Sequence, residues 1–183
     1  MHDEKGYYSK FQQSLYFARL HTDQLIAIEQ GAEQPSKGQV SLRFDAQRHN
    51  CFGEAAISSL FRALCYLSCS IMPEVTAIQL LQSPRKLLEV VAEQVKETPS
   101  ASLQILLRQL QPQQQRNSPV DDDSLALLLL TYQALWLPPA QSRRDASSLI
   151  AVRSFDLNVQ QCQCWARQLA ELGELFVESQ TES

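Results

Sequence analysis

The stretch Arg48–Met72, RHNCFGEAAISSLFRALCYLSCSIM, decides the fold. It contains one glycine, no proline and no β-branched run, and its apolar side chains recur three and four apart, the period of a helix. Extended back to about Lys37 or Val40 and closed by Pro73, it forms one long helix with two apolar stripes. One stripe carries Val40, Phe44, Cys51, Ala55, Ser58, Phe61 and Cys65; the other carries Leu42, Gly53, Ala56, Leu60, Leu64, Leu67 and Ile71. A helix that is apolar on two sides sits at the centre of a bundle or at a dimer interface. Gly53, in mid-helix, gives room for a neighbouring backbone or ring.

The rest of the chain supplies partners for that helix. From about Asp3 to Glu33, Tyr8, Phe11, Leu15, Ala18, Thr22 and Leu25 form one stripe, widened by Tyr16, Ile26 and Ile28; Gly31 and Pro35 end the helix. Ser83-Pro84, Thr98-Pro99 and Ser118-Pro119 each place a hydroxyl at a helix N-cap and proline at its first position. They predict helices at about Pro84–Glu97, Ser100–Leu110 and Pro119–Leu137, with Asp121, Asp122 and Asp123 favouring the positive end of the third helix dipole. Gln111 to Asn117 reads as a polar loop. Leu149 to Val152 reads as an extended strap inside an irregular segment. A last helix over about Asp156–Glu178 carries Val159, Cys162, Trp165, Leu169, Leu172 and Phe176, with a polar tail from about residue 179.

The expected fold is all-α: an up-and-down bundle of about four long helices with short helices inserted, in a single domain over 1–183. The second helix is expected at its centre. The predicted core is Phe11, Leu15, Ala55, Phe61, Leu64, Leu128, Tyr132, Trp136, Trp165, Leu169 and Leu172.

Composition narrows the function classes. The net charge of −4 argues against nucleic acid as the main partner, because phosphate binding needs a basic face. The apolar run SLALLLLTYQALWL, Ser124–Leu137, is short of the ~20 residues that cross a bilayer. The first residues are charged and carry no apolar leader, and the five cysteines follow no paired secreted pattern. The expectation is a cytoplasmic protein with reduced thiols and no membrane contact.

Candidate chemistry centres on Arg48–Glu54, where a histidine, a cysteine and a carboxylate fall within seven residues. In a helix, turning about 100° per residue, His49 and Cys51 diverge and cannot form a thiolate–imidazole pair. His49 is expected to meet Asp45 one turn earlier, and Cys51 to pack in the core. Cys65 and Cys69 share a helix face, but Cys51 lies about 20 Å away along the helix and Cys162 and Cys164 diverge, so core packing is expected rather than zinc. Arg143, Arg144 and Arg153 form a locally basic loop that Asp145 and Asp156 can neutralise. There is no phosphate-binding glycine loop, nucleophile elbow or zinc-protease helix. The reading leans away from catalysis and expects no metal and no cofactor.

Two resemblances add to this. Arg43 and His49, six apart, resemble the arginine–histidine pattern of HEPN domains, helical bundles in which such a pair acts on RNA. The segments Ser14–Leu20 (SLYFARL), Ala55–Met72, Leu128–Pro139 (LLLTYQALWLPP), Leu149–Val152 and Trp165–Phe176 resemble, in order, an uncharacterised family of short α-helical proteins of pseudomonads and related bacteria, catalogued as a domain of unknown function. That likeness implies an α-helical fold and transfers no catalytic residue. The function expected is a non-enzymatic helical binding or adaptor protein, with a protein partner or self-association through helix faces. The alternatives are a HEPN-like bundle that binds or cleaves RNA through Arg43 and His49, and a bundle holding a small apolar ligand.

Overall fold

The computed structural model describes residues 6–32, 39–111, 124–136 and 158–181; for Ala32, residues 39–44 and Trp136 only the backbone is described. All regular structure among these residues is helical: α1 Tyr7–Ala32, α2 Gln39–Ile71, α3 Ala77–Leu80, α4 Pro84–Glu97, α5 Ala101–Leu110, α6 Leu125–Trp136 and α7 Val159–Thr181. The fold is all-α. No described helix is long and apolar enough to cross a membrane.

Helix α2 is the hub, packed by α1, α3, α5, α6 and α7. Its pairing with α1 is antiparallel. Tyr7 stacks by Tyr66 at 6.2 Å, His21 faces Phe52 at 6.0 Å, and Glu29 meets His49 at 3.2 Å, so numbers rise on one helix as they fall on the other. The stripe from Gly53 through Ala56, Leu60, Leu64 and Leu67 is buried along this length. The other stripe is buried only from Phe61 onward, where that ring stacks 3.9 Å from Tyr132 of α6. Ahead of Phe61 it surfaces: Ser58 and Ala55 are half-buried and Cys51 is exposed. The core placement expected for Cys51 is therefore corrected: the stripe is covered at Phe61 by Tyr132 of α6, and Cys51, nearly three turns earlier, is exposed.

Helix α7 closes the core. Trp165 is fully buried, and its indole N–H donates to the Ser124 carbonyl at 3.1 Å, tying α7 to the start of α6. Further along, α1 and α7 come close at Gly173. A Cβ there would lie 2.6 Å from Phe11 Cε1, and the Tyr8 hydroxyl donates to the Gly173 carbonyl at 3.5 Å. Gly53, where a close approach was expected, is buried in α2. Of the predicted core, Phe11, Leu15, Phe61, Leu64, Leu128, Trp165 and Leu169 are buried. Ala55 is half-buried, Tyr132 and Leu172 pack on the core's edge, and the Trp136 side chain lies outside the described residues.

Local chemistry sets the ends. Ser83 Oγ accepts from Lys86 N–H at 3.1 Å with Pro84 at the first position of α4. Thr98-Pro99 is not a helix start: the Thr98 N–H closes α4 onto the Gln94 carbonyl at 2.9 Å, and Ser100 caps α5 by accepting from Leu103 N–H at 3.2 Å. Both hydroxyls precede a helical run, and only the second leaves Pro99 outside it. Ser124 precedes α6, accepting from Leu127 N–H at 3.4 Å, which puts the helix start at Leu125 rather than Pro119. Asn158 Oδ1 accepts from Gln160 N–H at 2.9 Å at the head of α7, whose last turn runs to Thr181, past the expected start of the polar tail. Helix α3 was not expected. Met72-Pro73-Glu74-Val75 breaks α2, and Gln79 Oε1 accepts from the Thr76 N–H at 3.0 Å to start a single turn that buries Ala77 and Leu80. Ser118-Pro119, Asp121–Asp123, the loop from Pro112 to Asn117, the Leu149–Val152 strap and the basic loop with Arg143, Arg144 and Arg153 lie outside the described residues.

Candidate docking face

The first candidate, Arg48–Glu54, separates into unrelated surroundings. His49 Nε2 meets Glu29 Oε1 at 3.2 Å, across the α1–α2 pair, rather than Asp45 one turn back. The last turns of α1 bring Glu29 opposite His49. Asp45 is buried and lies 4.0 Å from Arg48. Cys51 and Glu54 are exposed and point elsewhere. Arg43 is on the same helix, its side chain outside the described residues. His49 faces Glu29 and Arg48 faces Asp45, so the two basic groups described at this end of the α1–α2 pair each meet a carboxylate, which disfavours phosphate there.

The thiols are placed for packing. Cys65, Cys69, Cys162 and Cys164 are buried. Burial pushes the Cys65 thiol well up, with the nearby Cys69 adding to the rise, and burial alone pushes Cys162 up to about 12. Such thiols stay protonated and are inert as nucleophiles. Cys164 Sγ accepts from Arg167 Nη2 at 3.4 Å. Among the described residues no group of three or more His, Cys, Asp or Glu is placed to hold a metal ion.

Among the described residues, two open grooves are formed. One, of about 500 Å³, lies between α1 and α7 and is lined by Arg19, Asp23, Gln163, Arg167, Glu171 and Glu174, with Arg167 and Glu171 4.0 Å apart. The other, of about 390 Å³, lies between the end of α2 and the α4–α5 junction, with Met72, Glu74, Gln94, Glu97 and Leu103 in its walls. Charged side chains rim both, which suits neither to a small apolar ligand.

The surface with a pattern of its own is the outer side of α1. At about 100° per residue, Ser9, Gln13, Tyr16, Leu20, Gln24 and Ala27 share an arc roughly 80° wide, with Phe17 at its edge. Tyr16 is 63% exposed, Phe17 43% and Leu20 40%. The rings of Tyr16 and Phe17 meet edge to face at 5.9 Å. A solvated helix face normally carries charge; this arc carries none, and Asp23 flanks it beyond Tyr16 as closely as Phe17 flanks the opposite edge. The four acidic or basic residues of α1 all sit off it. Lys10 reaches back over the Tyr7 ring, 5.3 Å from its centroid. Arg19 and Asp23 line the groove beside α7. Glu29 faces His49. Tyr16 was expected to widen the buried stripe and is instead the most exposed aromatic of this face. In LYFARL, apolar residues fall on every side of the helix, so spacing alone does not say which side is covered.

The chain matches no family model, and no curated protein and no solved structure is significantly similar to it.

Proposed function

We propose that this chain is a non-enzymatic helical binding protein that docks another protein chain on the outer face of α1. The observation that carries the reading is the arc from Ser9 to Ala27, free of charge and holding Tyr16, Phe17 and Leu20 in contact with solvent. Interface cores are depleted in charge and enriched in aromatics, and this arc has that composition. Protonated, buried thiols and a carboxylate-held His49 support a non-catalytic role. In this reading α1, α2, α6 and α7 form an up-and-down bundle within one domain, a scaffold that holds the α1 face rigid. The reading also keeps the likeness to the uncharacterised bacterial helical family, and a cytoplasmic setting in which the free cysteines stay reduced.

The test is capture from the source lysate with tagged wild type, the Tyr16→Glu/Leu20→Glu double variant and the Ile78→Glu control, whose site is 77% exposed on α3. A stoichiometric protein held by wild type and control but lost by the double variant is the expected result. A partner indifferent to the α1 substitutions refutes the reading. RNA in the eluate, lost in Arg43→Ala and His49→Ala, would replace it with the RNA-acting alternative.

A further inference from the structure

We infer that the groove between the end of α2 and the α4–α5 junction binds an aliphatic polyamine, a methylene chain with ammonium groups at both ends. The inference does not depend on the docking reading, and no residue of α1 lines this groove.

Two helix breaks make the groove. Pro73 stands past the end of α2 and Pro99 past the end of α4, and a proline has no N–H to return to the carbonyl four residues back. Both helices end here, so their C-terminal carbonyls lend the groove negative charge. Helix α5 starts at the same junction, and its positive end subtracts from that field. Ser100 Oγ already accepts from Leu103 N–H at 3.2 Å, which satisfies one of those amides. Met72 and Leu103 are buried in the walls, while half-buried Ile71 and exposed Pro73 offer apolar surface to an occupant.

The charges on the groove have one sign. Glu74 comes from the α2 side and Glu97 from the last turn of α4. Both are exposed, and neither has an ion-pair partner among the described residues. No lysine or arginine lines the groove. Lys96 is turned about 100° from Glu97 and about 160° from Gln94 around α4. Arg85 and Lys86 are held by Glu89, at 2.9 and 3.9 Å. Gln94 Nε2 donates to Thr98 Oγ1 at 2.7 Å, which leaves the amide oxygen as a further acceptor.

These features select the occupant. Among the described residues no group of three or more His, Cys, Asp or Glu is placed for a metal ion, so the two carboxylates suit an organic cation. A ligand with a single ammonium group meets one carboxylate and leaves the other unmet. A chain that is cationic at both ends meets both, and its methylenes lie against Ile71 and Pro73. The volume of about 390 Å³ is that of a small-molecule site. Because the carboxylates are exposed, each contact is screened and modest. Joining the two ends in one chain makes the second contact intramolecular, which is where the affinity comes from.

Titration of the isotope-labelled full chain with spermidine, followed by amide chemical shifts at about 0.15 M salt, tests this. Shifts should saturate and centre on the residues around Glu74 and Glu97. Butylamine, with one ammonium group, should bind at least about fivefold more weakly. Glu74→Gln and Glu97→Gln should each weaken spermidine roughly two- to fivefold, and together roughly tenfold, with unchanged thermal melts because both positions are exposed. Glu171→Gln/Glu174→Gln removes the same net charge from the α1–α7 groove and should leave binding as in wild type. Shifts that fail to saturate, an equal loss in the two double variants, or butylamine binding as tightly as spermidine would each overturn the inference. So would tighter binding of an amidated dilysine peptide of the same charge, which would give the groove to a basic segment of a partner protein instead.

Discussion

Gly173→Ala sets two known effects against each other at one atom. In a helix interior, alanine is favoured over glycine by about 1 kcal/mol, and Gly173 lies inside α7. Against this, the new Cβ would sit 2.6 Å from Phe11 Cε1 and 2.9 Å from Cζ. Carbon atoms in contact rest about 3.5–4.0 Å apart, so the ring must retreat by roughly 1 Å. Phe11 is 2% exposed and its ring lies 5.5 Å from that of Tyr8, so it has little free space to enter. Overpacking of this kind costs about 1–3 kcal/mol. The two effects leave a net loss of about 0–2 kcal/mol, a fall in Tm of up to roughly 4–8 °C for a chain of this size. Urea denaturation followed by circular dichroism measures it, with Phe11→Leu and the double variant completing a cycle. Once the ring edge is gone, Gly173→Ala should turn from destabilising to neutral or stabilising, a coupling of about 1–3 kcal/mol. If Gly173→Ala alone stabilises the protein by the helix-propensity amount, the close approach of α1 and α7 is wrong.

Other consequences can be checked on the same material. Trp165→Ala should cost about 3–5 kcal/mol, and Trp165→Phe about 1–2 kcal/mol, because the Ser124 carbonyl loses its indole donor; a Trp165→Ala melt like wild type would remove the residue from the core. Thiol labelling at pH 8 should modify Cys51 quickly and release the four buried cysteines only on unfolding; two or more fast thiols would contradict the packing of α2 and α7. His21 packs by Phe52 with Nδ1 buried and without a hydrogen-bond partner among the described residues, and burial holds its pKa below 6.5. The unfolded chain then takes up the proton first. Stability from this residue is intact above about pH 6.5, declines as pH falls through that value, and levels off below the lowered folded pKa. Denaturation at several pH values should show that decline in wild type relative to His21→Gln; parallel profiles would refute it.

The sequence carried the helices more reliably than their surroundings. Ser83-Pro84 and the α2 periodicity rest on bonding within one turn or one face, so α4 was legible to the residue and α2 to within a turn. Thr98-Pro99 shows the limit. Its local chemistry suits a cap, but the following Ser100 competes for the same role two residues further on. His49 shows the limit at the next level. Asp45 is a permitted partner by helical spacing, yet the winner is Glu29, twenty residues away and delivered by the antiparallel turn of the chain. No spacing rule within α2 contains that information. Gly173 is the same case: nothing on α7 marks it, because the constraint is the Phe11 ring of α1.

The α1 face follows from how the apolar surface of the two longest helices is shared out. Both are apolar beyond a single stripe. For α2 the excess is absorbed from Phe61 onward: one side takes α1, and the other takes Tyr132 of α6, with α7 also packed on the helix, which is why it can be the hub. Among the described helices, α1 packs chiefly on α2 and α7. The side left over holds Tyr16, Phe17 and Leu20, and the helix's charges are all directed to its flanks. Scattered exposed hydrophobics are ordinary on any protein. A run of them along one uncharged arc, with glutamines between, is the surface that the proposed partner chain would cover.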